Sequence, residues 1–407
     1  MKNLFNKRIV ISVILMLFVS FSFSQKIGKT LIDENGKKIV ETIIDGRPPA
    51  VLPQPSKNLP KEKIKGVTFW LDSIPSYDWS YGCSATTIAM QAGYFDNTDY
   101  PNIYTGPANG GVQPMTNAVW NSQASHSGTN ECPVSATAQN VDSRDKKGHA
   151  DDYWIDYLEE GDPYYENWSE HTPIEAGYNI CTADFMGTNQ WYNYSNVDGS
   201  TSFYNYQDGT ALYDYTGCEP ADRDGCHGIR LFYEACGVTV IDNFSQYILG
   251  YNGITSGYTF ADYKNEIDNG NPVLINVVGH SMLGYGYDNT DEAHPKVYLR
   301  NTWTQDRTVG GEQMEWGGSY SGMDHYAVSV IHLQAPPLTT PENVEIIFDG
   351  ANVVLTWYPT GATSYNVYSS DDPYGSFTLE ASVGTNQYII ASSEAKLFYY
   401  IVSSDSK

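Results

Sequence analysis

Proline divides this chain before any other residue type does. Pro48, Pro49, Pro53, Pro55 and Pro60 fall within GRPPAVLPQPSKNLPKEKIKG. Each removes a backbone donor and fixes φ, so no long helix crosses this stretch and extended, polyproline-like chain is favoured. A second cluster, Pro336, Pro337 and Pro341 in QAPPLTTPEN, marks a domain boundary. The predicted layout is an N-terminal extension (25–66), a main domain (67–334), a linker (335–343) and a small C-terminal module (344–407). The extension reads as a linker or arm, because it lacks a compact apolar pattern of its own. The sharper alternative is a pro-segment lying over an active site.

Residues 1–24 read MKNLFNKRIVISVILMLFVSFSFS. A basic front, a short apolar run from Ile9 to Val19 and small Ser22 and Ser24 are the pattern of an export signal, with cleavage near Ser24–Gln25. The run is short of the ~20 apolar residues that a membrane span needs. The expectation is a secreted, periplasmic or cell-surface protein with no membrane domain. Across 407 residues the formal net charge is -25. Residues 1–24 hold three cations and no acid, so their removal would make the balance more negative still. Such a charge argues against nucleic acid and anionic membrane surfaces as partners.

The last segment alternates in short strands, VEIIF, NVVLTWY, SYNVYSS, FTLEASV, QYIIA and LFYYIVSS, separated by turn residues. That spacing predicts an all-β sandwich, with Trp357, Tyr365 and Tyr368 as its core aromatics. Its LTW, SYNVY and FYYIVSS segments resemble a fibronectin type III module. Such modules are spacers or binding platforms, which implies contact with a surface or polysaccharide rather than chemistry.

In the main domain the most informative segment is DWSYGCSATTIAMQAGYFD, residues 78–96. After Cys83 it reads as a helix, with Ala85, Ile88, Ala89 and Ala92 on one face and Gly93 placed to end it. Before Cys83 it is turn-like. Cys83 would therefore sit at a helix N-terminus, where free amides and the helix dipole favour a thiolate. Its own amide would face a substrate oxyanion.

Residues 272–288, PVLINVVGHSMLGYGYD, read as two strands flanking Gly279, with His280 opening the second. A third strand, KVYLRNTW, ends near Asn301. An amide oxygen at Asn301 is expected to accept from one imidazole nitrogen and leave the other facing sulfur, with Trp303 shielding that bond from water. A lone histidine is ordinarily a satisfied core residue and a lone cysteine a structural one. The ordered set Cys-helix, strand-His-strand, strand-Asn-x-Trp is more specific than either.

SYGCSATTIAM, GHSMLGYGYDN and LRNTW together resemble the papain-like clan of cysteine peptidases, closest to the bacteriocin-processing (double-glycine leader) peptidases and their exported relatives. The resemblance covers about residues 67–334. It implies an α+β papain-like domain in which a Cys-bearing helix packs on an antiparallel sheet. It also implies hydrolysis of peptide or protein substrates by a Cys83–His280–Asn301 triad, with no cofactor and no metal. The family's third residue is usually aspartate, and Asn301 stands there as in papain. The family also has a glutamine about six residues before the cysteine, in the oxyanion hole. Here Tyr77 lies six back and Asp78 five back. A carboxylate at Asp78 repels an oxyanion unless it is protonated or turned away, so the Trp79 indole, a backbone amide or another side chain must donate. Losing one such donor costs about 10²–10³ in rate. The alternatives are an inactive papain-fold binding or adhesion protein, and a cell-wall amidase built on a similar pair.

Six cysteines stand at 83, 132, 181, 218, 226 and 236. With Cys83 as a working thiol, the other five allow at most two bridges, and Cys218–Cys226 is the first candidate. A zinc site using His227 fits none of the common ligand spacings. His325 also opens a strand, but no Asn- or Asp-ended strand follows it. His149 and His227 read as loop residues. NVDGS, YQDGT and ADRDG are acidic turns rather than complete calcium loops.

Overall fold

In the computed structural model, the described residues are 25–46, 63–80, 82–100, 103–104, 108–117, 181–188, 199–334, 340–360, 364–391 and 397–404, with the single positions 134, 194, 196 and 362. The export-signal reading, Cys132, His149 and most of 97–198 lie outside them. The N-terminal and main-domain elements are β1 (Lys26–Ile32), β2 (Lys38–Ile44), β3 (Thr68–Trp70), α1 (Cys83–Asp96), α2 (Thr182–Met186), β4 (Thr201–Tyr206), β5 (Leu212–Tyr213), α3 (Gly225–Ala235), β6 (Val240–Tyr247), α4 (Phe260–Asp268), β7 (Val273–Val277), β8 (His280–Asp288), β9 (Lys296–Arg300), β10 (Gln313–Glu315), β11 (Ser319–Tyr320) and β12 (Met323–Leu333). Then come β13 (Glu345–Phe348), β14 (Asn352–Thr356), β15 (Ser364–Ser370), β16 (Thr378–Val383), β17 (Gln387–Ala391) and β18 (Phe398–Ser404). The architecture is α+β with antiparallel sheets and few helices.

The main sheet runs β10-β9-β8-β7-β12-β6-β5, with β3 added to β8 and β11 to β12. Its central strands carry no polar stripe. Every residue of β7 is buried, as are the first eight of β8. Strands read this way when both faces are covered. Helix α1 covers part of the sheet, and all fourteen of its residues are buried. The two glycines in the GYGYD run of β8 permit different close approaches, Gly284 that of Tyr263 of α4 and Gly286 that of Trp70 and Tyr298. A Cβ at Gly284 would lie 2.9 Å from the Tyr263 ring, and the Tyr263 hydroxyl donates to the Gly286 carbonyl at 2.9 Å.

Three readings need correction here. Gly93 does not end α1, which continues to Asp96. Gly93 instead permits close packing, since a Cβ there would meet Pro75 at 2.7 Å and Gln113 at 2.9 Å. Residues 26–44 are not a bare arm. They form a β1–β2 hairpin, and β2 pairs with β4 from Ile39–Tyr206 to Ile44–Thr201. The IVETII run supplies the missing apolar pattern, with Ile39 and Ile44 both buried. Cys218 and Cys226 are both free. They face different cores: Cys226 packs in the main core, while Cys218 packs with Ile39, Tyr204 and Leu212.

The C-terminal strands make two three-stranded antiparallel sheets, β13-β14-β17 and β16-β15-β18. Leu355, Trp357, Tyr365, Val367 and Ile401 form their shared core, with Trp357 edge-on to Tyr365 at 5.2 Å. Tyr368 is not part of it. It stacks on Tyr400 with ring centroids 4.7 Å apart, as the period-2 alternation from buried Val367 requires.

Candidate active site

Cys83 is the first residue of α1, as expected. The preceding Gly82 has φ 128°, and a Cβ there would lie 2.6 Å from the Gly199 carbonyl oxygen, so only glycine fits. No side chain caps the first turn. Thr86 instead reaches back, donating to the Gly82 carbonyl at 2.8 Å and accepting from the Ser80 amide at 2.9 Å. The turn is thus pinned while the helix tip stays uncapped by any side chain, which favours an anion there.

His280 is the first residue of β8. It follows Gly279, whose φ of 78° makes the tight turn out of β7. The helix tip and the histidine strand are joined by hydroxyls. Ser281 donates to the Asn276 side-chain oxygen at 2.7 Å, which leaves Ser84 to donate to Ser281 at 2.9 Å. These serines directly follow Cys83 and His280. The bond between them fixes the register of α1 against β8. The Ser281 backbone amide also faces the Cys83 sulfur, which places the thiol beside the residue that follows His280.

The imidazole is oriented by Asn301, though not through its side chain. His280 Nε2 lies 2.8 Å from the Asn301 main-chain oxygen. A carbonyl only accepts, so Nε2 carries the proton and Nδ1 is the basic nitrogen. The expectation that the side-chain amide would hold the ring is corrected. That amide accepts from the Trp303 backbone N–H at 3.0 Å and donates to the Tyr320 hydroxyl, also at 3.0 Å. Tyr320 in turn donates to Glu312 at 2.6 Å. Thr302, between them, sits at φ 62°. This is uncommon for a β-branched residue and costs on the order of 1–3 kcal/mol, held by the surrounding bonds. Trp303 stacks on His280 with ring centroids 3.8 Å apart and 17° between planes, as the shielding reading requires.

Burial dominates the electrostatics. It pushes the Cys83 thiol up to about 11, opposed by the Ser281 amide and by Ser84, while the Asp45 carboxylate pushes it further up. Burial pulls His280 down to about 3, opposed by the Asn301 carbonyl. In the form described, both groups are neutral at pH 7.

Asp78 forms an isolated bridge with Trp303, and its carboxylate accepts from Gln305 Nε2 at 2.6 Å. The charge is engaged by a glutamine delivered from beyond β9, a partner that no local motif announces. The Trp79 indole donates to the Gly46 carbonyl at 2.6 Å. The Asp45 carbonyl lies 3.6 Å from the Cys83 sulfur. Residues 45–46 therefore lie beside Cys83 and Trp79, in the stretch the sequence reads first as a linker or arm and alternatively as a pro-segment, without naming a residue of it.

The rival residues have other roles. His325 is buried, accepts from the Gly317 amide at 3.3 Å and meets Trp316 edge-on at 4.7 Å. His227 is not a loop residue but lies in the first turn of α3, where it pairs with Asp214 at 2.8 Å. Among the described residues no His, Cys, Asp and Glu cluster could hold a metal ion. Asp208 accepts from both the backbone and hydroxyl of Thr210, and Asp224 caps α3, so both belong to turns and caps. No helix among the described residues is long and apolar enough to cross a membrane. Comparison with protein-family models, curated proteins and solved structures finds no match.

Proposed function

We propose that this chain is an exported cysteine peptidase of papain-like architecture, followed by a fibronectin type III-like module. The observation that carries the reading is the tautomer of His280. Its Nε2–H is committed to the Asn301 carbonyl, so the free base is Nδ1, on a strand bonded by Ser281 to the helix that carries Cys83. A Cys at a helix tip and a neutral imidazole with a fixed tautomer are the two parts nucleophilic thiol chemistry requires. The C-terminal pairing of β13-β14-β17 opposite β16-β15-β18 supports the second part of the reading.

In the reaction, His280 Nδ1 takes the Cys83 proton and the thiolate attacks the substrate carbonyl. The negative charge on oxygen is met by the Cys83 amide at the helix tip and by the Trp79 indole, which already donates to a carbonyl. The tetrahedral species collapses as the imidazolium returns its proton to the leaving amine. Water then opens the acyl-enzyme with His280 as base.

One feature favours a second reading, a binding protein that kept the scaffold: burial pushes the Cys83 thiol up and His280 down, which opposes proton transfer from one to the other. A thiol-directed peptide electrophile separates the two. The enzyme reading predicts labelling that is lost in Cys83→Ala and kept in Cys226→Ala, with hydrolysis of unfolded protein but not of purified peptidoglycan. Labelling that survives Cys83→Ala overturns it.

A further inference from the structure

We propose that Asp45 and Gly46 are a built-in occupant of the Cys83 cleft, so that the β1–β2 hairpin holds the site latent; this rests on the peptidase reading above. Four contacts place the two residues across the site. The Asp45 carbonyl faces the Cys83 sulfur at 3.6 Å. The adjoining Gly46 carbonyl accepts from the Trp79 indole at 2.6 Å. The Asp45 carboxylate lies over the turn into His280, 3.5 Å from where a Cβ on Gly279 would be. Lys26, at the start of β1, pairs with the same carboxylate and ties the end of the hairpin to its beginning.

Two consecutive carbonyls, one against the thiol and one on the indole that the proposed reaction assigns to the oxyanion, take up groups a substrate backbone would need. The occupant and its anchor differ in strength. The hairpin is held by the β2–β4 ladder and by buried Ile39 and Ile44. The strap beyond it has two carbonyl contacts and one exposed ion pair, and exposed pairs contribute little. The strap is therefore the part that releases first, while the hairpin stays on β4. Tethering sets its effective concentration on the order of millimolar, above dilute substrate, so the covered form dominates until the strap is displaced or cut. Asp45 acts in the same direction electrostatically, since its charge disfavours the thiolate.

The test reads coverage of the sulfur separately from hydrolysis. The full chain is alkylated with iodoacetamide, and the rate at Cys83 is followed by peptide mass spectrometry, with buried Cys226 as the folding reference. Two variants are compared, one lacking residues 25–46 and one with Gly-Ser-Gly inserted between Ile44 and Asp45. The insertion keeps the hairpin and moves only the strap. Cys83 alkylation is expected to rise ~10-fold or more in both while Cys226 stays protected. A peptide of residues 38–46 is expected to restore protection to the deletion variant. If the deletion unfolds the chain, Cys226 labels too and the insertion decides. An unchanged Cys83 rate in a folded insertion variant overturns the strap and leaves the peptidase reading standing. Faster alkylation without hydrolysis keeps the strap and overturns the peptidase reading.

Discussion

His280 is held by the backbone of Asn301 and not by its side chain: imidazole Nε2 lies 2.8 Å from the main-chain oxygen, while the side-chain amide spans Trp303 and Tyr320. This separates two duties that one amide would otherwise perform together. The carbonyl sets the tautomer, and the side chain sets the turn that aims the carbonyl.

Asn301→Ala is accordingly expected to lower stability by about 1–3 kcal/mol, since it leaves the buried Trp303 amide and Tyr320 hydroxyl short of a partner. Labelling of Cys83 by the peptide electrophile is expected to persist. Denaturant unfolding and labelling on the same sample check both parts. Loss of labelling without loss of stability would return the orienting role to the side chain.

Ser281→Ala is expected to be the costlier of the two serine changes. It leaves both the Asn276 oxygen and the Ser84 hydroxyl without their bond, in a fully buried setting, for about 1–3 kcal/mol. A double-mutant cycle with Ser84→Ala should show that the two costs do not add, because the residues share one interaction.

Trp303→Ala removes the ring stacked on His280 and admits water. Burial is what holds the imidazole down to about 3, so its pKa is expected to rise toward the ordinary histidine value. NMR titration of the His280 ring reads this directly.

His332 gives a pH signature away from the site. Its two nitrogens contact Asp242 at 2.6 Å and Glu266 at 3.0 Å, joining β12 to β6 and α4. The Glu266 bond, opposed by burial, raises its pKa to about 9. The folded value exceeds the unfolded value of about 6.5, so this stabilisation is full below pH ~6.5 and is lost as pH rises through about 9. Thermal melts of the full chain should fall across that window, and His332→Gln should flatten the fall.

The sequence exposed the parts of the site that obey local rules. Gly82 and the small, apolar run after Cys83 specify a helix start. The VLINVVGHSMLG run specifies two strands around a glycine turn, which are β7 and β8. What it hid depends on contacts between distant segments. Gln305 reaches Asp78 across 227 positions, and Glu312 reaches Asn301 through Tyr320. The hairpin was hidden differently. The nearby prolines drew residues 25–66 into one extended reading, while IVETII, whose apolar residues suit a strand packed against β4, lay just ahead of them. Gly93 misled for a related reason: glycine signals both a helix end and a close approach, and only the neighbouring Pro75 and Gln113 tell which.

The most direct test of the Cys83–His280 pair is kcat/KM for hydrolysis of an unfolded protein by the chain carrying the Ile44–Asp45 insertion, alone and with Cys83→Ala or His280→Ala. The account predicts measurable hydrolysis that falls on the order of 10³-fold or more in each substituted form, with little further loss when both are combined, as for residues that act as a unit. Hydrolysis that is unchanged by either substitution, or absent from the parent chain while Cys83 alkylates freely, would contradict it.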